Sequence, residues 1–241
     1  MSYHITGAMS AVIFLLTVSG LWSQLTLVWG RKAEFKTRAV KDRPTAILSL
    51  NQFVSSFLAF FSFFLYGACL QPFNHYLVWP RLIASLLTLA VLYEITIDRR
   101  DGLSMTSFAA CSAMLLVVPL LLATSASRLS LGRLFSQTFI VVVTAMLAQG
   151  YAHQIILIRR SGYTGAVSLR MHQFFFLKDI STMAFACSMG FANGWPVLLM
   201  SAVSALTKLA IMWHFRWARI SPLAELRRNT GSPTPQLAYA P

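Results

Sequence analysis

Seven apolar runs of lipid-crossing length, six of them in two matched sets of three, constrain this chain more than any other feature. They cover residues 7–29, 46–69, 77–97, 104–124, 134–158, 167–191 and 196–217. A helix needs about 20 apolar residues to cross the hydrocarbon. The matching shows in short strings. Ser23-Gln24 ends one run and leads into Arg31-Lys32, and His153-Gln154 ends another and leads into Arg159-Arg160. Asn51-Gln52-Phe53 opens the second run, and His172-Gln173-Phe174 opens the sixth. Trp79-Pro80 opens the third, matched by Trp195-Pro196. Partners are 130, 121 and 116 residues apart, a drift that insertions in loops absorb. Internal repeats of this kind build many transporter folds, with the solute site between the copies.

Composition agrees. Hydrophobic residues make up 56% of the 241 and charged residues only 11%, against roughly a quarter charged in soluble domains. A run such as residues 57–65 lacks the alternation of a barrel strand, so the expected class is an all-α polytopic membrane protein. Three units follow: a first three-helix repeat over 1–101, a linker helix within 102–131, and a second repeat over 132–220. A disordered tail is expected over 221–241.

The net charge of +13 is placed for a membrane and not for nucleic acid. Fifteen cations fall on one side of the predicted spans: six between runs one and two, Arg99 and Arg100, Arg159, Arg160 and Arg170, and Arg216, Arg219, Arg227 and Arg228. Arg128 and Arg133 fall on the other, with Arg81 close to that end. The positive-inside rule then sets the N-terminus outside and the C-terminus in the cytosol, with the basic loops against anionic lipid. The first run is too long, and lacks the basic start, for a cleaved signal. Cys69, Cys111 and Cys187 all lie in apolar runs and imply no disulfide framework.

The second copy reads His153-Gln154, then Arg159-Arg160-Ser161-Gly162-Tyr163-Thr164-Gly165-Ala166-Val167-Ser168. This resembles the signature of the PQ-loop and SWEET-like superfamily of seven-helix transporters: a Pro-Gln near a helix end, a basic pair, a small-polar turn, then Gly-x-Ser. That superfamily includes sugar carriers, lysosomal amino-acid exporters and the KDEL receptor. The resemblance covers nearly the whole chain in topology and about 20 residues in motif. It implies a three-plus-one-plus-three arrangement, with Gln24, Gln52 and Gln154 at a cytosolic gate. Proline is absent from both dipeptides, Ser23 and His153 standing in its place, so the first and fifth helices are expected to be straighter than in the family. Gly20, Gly30 and Gly150 are expected to serve close helix packing.

Charges within the runs carry the functional expectation, since each costs roughly 2.5–3.5 kcal/mol at mid-bilayer on insertion scales. Lys208 lies twelve residues past Pro196, about 18 Å along a helix. Lys178 and Asp179 are near the centre of the sixth run, and Glu94 is nearer the cytosolic end of the third. Lys208, Lys178, Asp179, Asn51, His172 and Gln173 are the candidate solute contacts. An anionic or zwitterionic solute suits Lys208. Asp179, His172 and Glu94 are candidates for proton coupling, His172 lying seven residues from Asp179 on nearly one helix face. The plainer reading pairs Asp179 with Lys208 as a packing element.

Rival classes are distinguishable. A retinal protein would want an acid four residues before Lys208, where Ser204 stands, and one at mid-depth on the third helix, which has Ala84, Ser85 and Thr88. A receptor or scaffold of the same fold, binding a peptide or protein, is the alternative to a carrier. No HExxH, paired cysteines at metal spacing or phosphate-cradling glycine loop is present, so neither enzyme, cofactor nor metal is expected. The expected partners are a small solute and lipids; self-association is compatible with such a chain.

Overall fold

A computed structural model describes residues 2–38, 45, 48–123, 127–162, 164 and 169–230. The described residues form eight helices: α1 (Ser2–Arg38), α2 (Leu50–Cys69), α3 (His75–Arg99), α4 (Gly102–Ala123), α5 (Ser127–Ser161), α6 (Leu169–Ser188), α7 (Phe191–Ile220) and α8 (Pro222–Thr230). Among them, α1 to α5 and α7 are long and apolar enough to cross a membrane, which makes the chain a polytopic helical membrane protein. α6 is not in that set, because His172, Gln173, Lys178 and Asp179 dilute its apolar residues.

Packing repeats across the chain. α3 lies against both α1 and α2, and α7 lies against both α5 and α6, while neither α1 with α2 nor α5 with α6 packs extensively. Contacts between the two groups are also reciprocal: α1 meets α6, and α2 meets α5. α4 leans on α2 and α3. The core follows this pattern. One cluster joins Phe57, Phe61 and Leu65 of α2 to Val91, Leu92 and Ile95 of α3. A second joins Tyr66, Ile140, Phe185, Val197 and Met200 from α2, α5, α6 and α7.

Both Trp-Pro pairs lie inside their helices and not at their starts. α3 begins at His75, capped by the Asn74 side chain accepting from the Leu77 N–H at 3.1 Å. α7 begins at Phe191 after Gly190, whose φ of 75° suits glycine. Pro80 and Pro196 are each therefore the sixth helical residue. A proline there has no N–H for the carbonyl four residues back, which leaves Tyr76 O and Ala192 O unclaimed. Arginine takes both. Arg81 donates to Tyr76 O at 3.2 Å, and Arg133 of α5 donates to Ala192 O at 3.0 Å and to Asn193 Oδ1 at 2.8 Å.

Three further expectations change. The chain from 221 is not disordered at once: α8 forms, buries Ala224 and sends Arg227 to Arg159 O and Arg228 to Gly162 O. α1, at 37 residues, is about 55 Å long, so its basic end, which includes Arg31 and Lys32, is a helix projecting past the lipid-length segment. Gly20, Gly30 and Gly150 face open space, with nothing near a notional Cβ. Close approaches occur instead at Gly7, against the Tyr76 and Phe185 rings, at Gly67, against the Leu77 side chain, and at Gly162 and Gly194, against Ala224 O and Ala186 O. Residues 165–168 of the Gly-x-Ser turn, Lys41 and Arg43 of the basic loop and the tail from 231 lie outside the described residues.

Candidate functional site

Of the charged residues singled out within the apolar runs, three converge. Asp179 accepts from Lys208 Nζ at 2.5 Å and from Lys178 Nζ at 2.8 Å. Asp179 and Lys208 are 1% and 3% exposed. Lys208 also reaches the Ser204 hydroxyl one turn back. Charges this deep persist only when paired and hydrogen-bonded, and here one carboxylate serves two ammonium groups.

Aromatic rings enclose the pair. Lys208 Nζ lies 5.6 Å from the centre of the Tyr151 ring and 5.8 Å from that of Phe175; Lys178 Nζ lies 5.9 Å from Phe175 and 5.8 Å from Phe14. The ring faces offer negative potential to the two cations. Phe14 belongs to α1 and Tyr151 to α5, so the cluster sits where the two helix groups meet.

Arg81 completes it. Sequence reasoning left this residue at the rim; it is 1% exposed, with its guanidinium carbon 4.1 Å from the Phe14 ring centre and 5.8 Å from that of Phe63. Its depth along α3 follows from sequence, since it is the seventh helical residue. Its burial does not, because the freed Tyr76 carbonyl and the Phe14 ring draw it inward. The Arg81 Nε has no hydrogen-bond partner among the described residues.

The other candidates lie elsewhere. Glu94 accepts from Trp29 Nε1 at 2.9 Å and pairs with Lys32, fastening the projecting end of α1 to α3. It is thus separate from Asp179. His172 is buried, its ring 6.4 Å from that of Tyr151 and 6.5 Å from that of Phe215; it shares Tyr151 as a neighbour with Lys208. Asn51, Gln52 and Gln173 are exposed, while Gln24 and Gln154 are half-buried. His214 was not anticipated: it is buried on α7, hydrogen-bonded to Ala210 O at 2.6 Å and accepting from Arg159 Nε at 3.1 Å.

At the N-terminal face a cavity of about 160 Å³ is lined by Tyr3, Leu70, Gln71, Pro72, Asn74, Ser188, Met189 and Asn193. The packed rings of Tyr3, Tyr76 and Phe185 join α1, α3 and α6 beside it. From there toward the charges, α1 and α6 are tied by polar pairs, Thr6 to Ser188 at 2.8 Å and Ser10 to Thr182 at 3.5 Å. No family model matches the chain, and no curated protein matches it in sequence.

Proposed function

We propose that the protein is a membrane carrier for a small polar solute, anionic or zwitterionic, working by alternating access between two three-helix bundles. In this reading α6 is a seventh span. Its 20 residues reach about 30 Å, and it packs between α1 and α7 with Lys178 and Asp179 turned inward. Helices α1–α3 and α5–α7 then form parallel repeats joined by α4, related by an axis along the membrane normal. The charge distribution sets the N-terminus outside and the C-terminus in the cytosol.

The observation that carries the proposal is the composition of the buried cluster. Lys178 and Lys208 share one carboxylate, Asp179, and a third cation, Arg81, is buried against the same Phe14 ring as Lys178, at the junction of the two helix groups. A packing element would be cheaper as a matched pair or as apolar side chains. An excess of positive charge at lipid depth is what an anion-handling crevice needs. The cavity at the N-terminal face, blocked by the Tyr3, Tyr76 and Phe185 rings, then corresponds to an outer vestibule that is shut.

Uptake into proteoliposomes tests the carrier reading, with solutes first screened by thermal stabilisation. A solute at 100 times its Kd adds about 2.7 kcal/mol. Lys208→Ala is expected to abolish uptake of the transported solute. Unchanged uptake of that solute in the variant would remove Lys208 from the site, and no flux of any solute by the wild type would leave the receptor reading.

A further inference from the structure

We infer that the Arg81 guanidinium docks one carboxylate of a small dicarboxylate, that Lys178 meets the other, and that the Phe14 ring occupies this place in the unliganded protein. The inference rests on the carrier reading and names the solute class of that site.

Arg81 is the least satisfied buried charge among the described residues. It makes one hydrogen bond, to the carbonyl that Pro80 frees, and its buried Nε–H is unmatched among the described residues. An unmade bond on a buried charged group is costly, and a planar guanidinium fork fits a carboxylate through two parallel N–H···O bonds. Asp179 attracts Arg81 through space but spends its two oxygens on Lys178 and Lys208.

Charge balance selects the ligand. Arg81, Lys178 and Lys208 against Asp179 leave two positive charges in excess. A zwitterion brings no net charge and a monocarboxylate one negative charge; a dicarboxylate cancels both. Geometry favours two separated anionic ends over one compact dianion. Arg81 and Lys178 both lie against the Phe14 ring, at 4.1 and 5.8 Å from its centre, so one small solute with two anionic ends that takes the place of the ring can meet both. The ring is a weaker partner for a cation than an anion is, and so can be displaced. The route is polar: Thr6–Ser188 and Ser10–Thr182 lead from the cavity down the α1–α6 seam to Phe14.

The test is calorimetric binding to the purified full chain in lipid nanodiscs, with succinate, hydrogen phosphate, acetate and alanine as separate probes. Succinate is expected to bind most tightly. Arg81→Gln is expected to weaken it by about 10- to 100-fold, the loss of a charge-assisted bond. Phe14→Leu is expected to tighten it several-fold. Undiminished succinate binding by R81Q overturns the inference, as does phosphate, acetate or alanine binding where succinate does not. Unchanged or weaker binding by F14L overturns the place-holding role, and this arm and the four probes decide the matter should R81Q fail to fold. Failure here and failure of the carrier reading are separable. Lys208-dependent flux of another solute without succinate binding sinks only the dicarboxylate, whereas succinate binding without flux of any solute sinks only the carrier.

Discussion

Replacing Asp179 by Asn is the sharpest perturbation of the buried cluster, because it removes the one carboxylate and keeps the shape. Asp179 is 1% exposed and holds Lys208 at 2.5 Å and Lys178 at 2.8 Å. Breaking a buried ion pair by deleting one partner costs about 3–5 kcal/mol, since the surviving charge is left without compensation. Here two ammonium groups survive, and Lys208 has little beyond Ser204 to turn to. Asp179→Asn is therefore expected at the upper end of that range. Lys208→Met should cost less, because Asp179 retains Lys178. The double variant should be more stable than the sum of the two losses, with a coupling of about 1–3 kcal/mol, because the charge that Asp179→Asn strands on Lys208 is no longer present. The assay is reversible unfolding in mixed micelles, followed by circular dichroism and analysed as a two-variant cycle. A D179N protein within about 1 kcal/mol of the wild type, or strictly additive losses, would refute the reasoning.

Other perturbations test the surrounding frame by the same unfolding assay unless stated. Arg133→Met should cost about 0.5–1.5 kcal/mol by removing its hydrogen bonds to Ala192 O and Asn193 Oδ1, and adding Pro196→Ala should recover part of it by restoring an N–H to that carbonyl. Gly7→Ala would set a Cβ 2.6 Å from the Tyr76 ring and should destabilise by about 1–3 kcal/mol through overpacking; Gly20→Ala, facing open space, should not. Glu94→Gln should loosen the end of α1 that Lys32 and Trp29 hold, seen as faster hydrogen exchange in residues 29–38 with a change in global stability below about 1 kcal/mol, since Lys32 is partly exposed.

Lys178, Asp179 and Lys208 were legible because a charge inside an apolar run is expensive and so announces itself. The pairing of Asp179 with Lys208 was legible too, as the plainer of two readings; that Lys178 shares the same carboxylate was not. Arg81 was hidden by its nearness to a helix end, where a cation can ordinarily reach water. What buries it is a ring on α1 and a carbonyl freed by Pro80, and only the second is a local signal. α8 could have been found: Ser221-Pro222 supplies a cap carbonyl and a proline at the first helical position, and Glu225 lies in the first turn. Composition masked it, because the proline-rich residues that follow made the whole end look unstructured. The seam from Thr6 to Ser10 was not legible at all, since hydroxyls in a membrane helix commonly bond their own backbone and nothing local tells which ones cross to another helix.

The two helix groups share a backbone device and use it differently. Each has proline as the sixth residue of its central helix, and each offers the freed carbonyl to an arginine. In α7 the arginine comes from α5, so Arg133 ties two helices of one group together at the N-terminal face. In α3 the arginine comes from the same helix, five residues on from the carbonyl it takes, so its guanidinium remains free to face a ring on α1. The same local geometry thus yields one brace and one charge poised at the junction. A junction between two similarly packed helix groups need not be symmetric: a buried arginine with an unmatched Nε–H among the described residues stands on one side, and an ion pair already closed stands on the other.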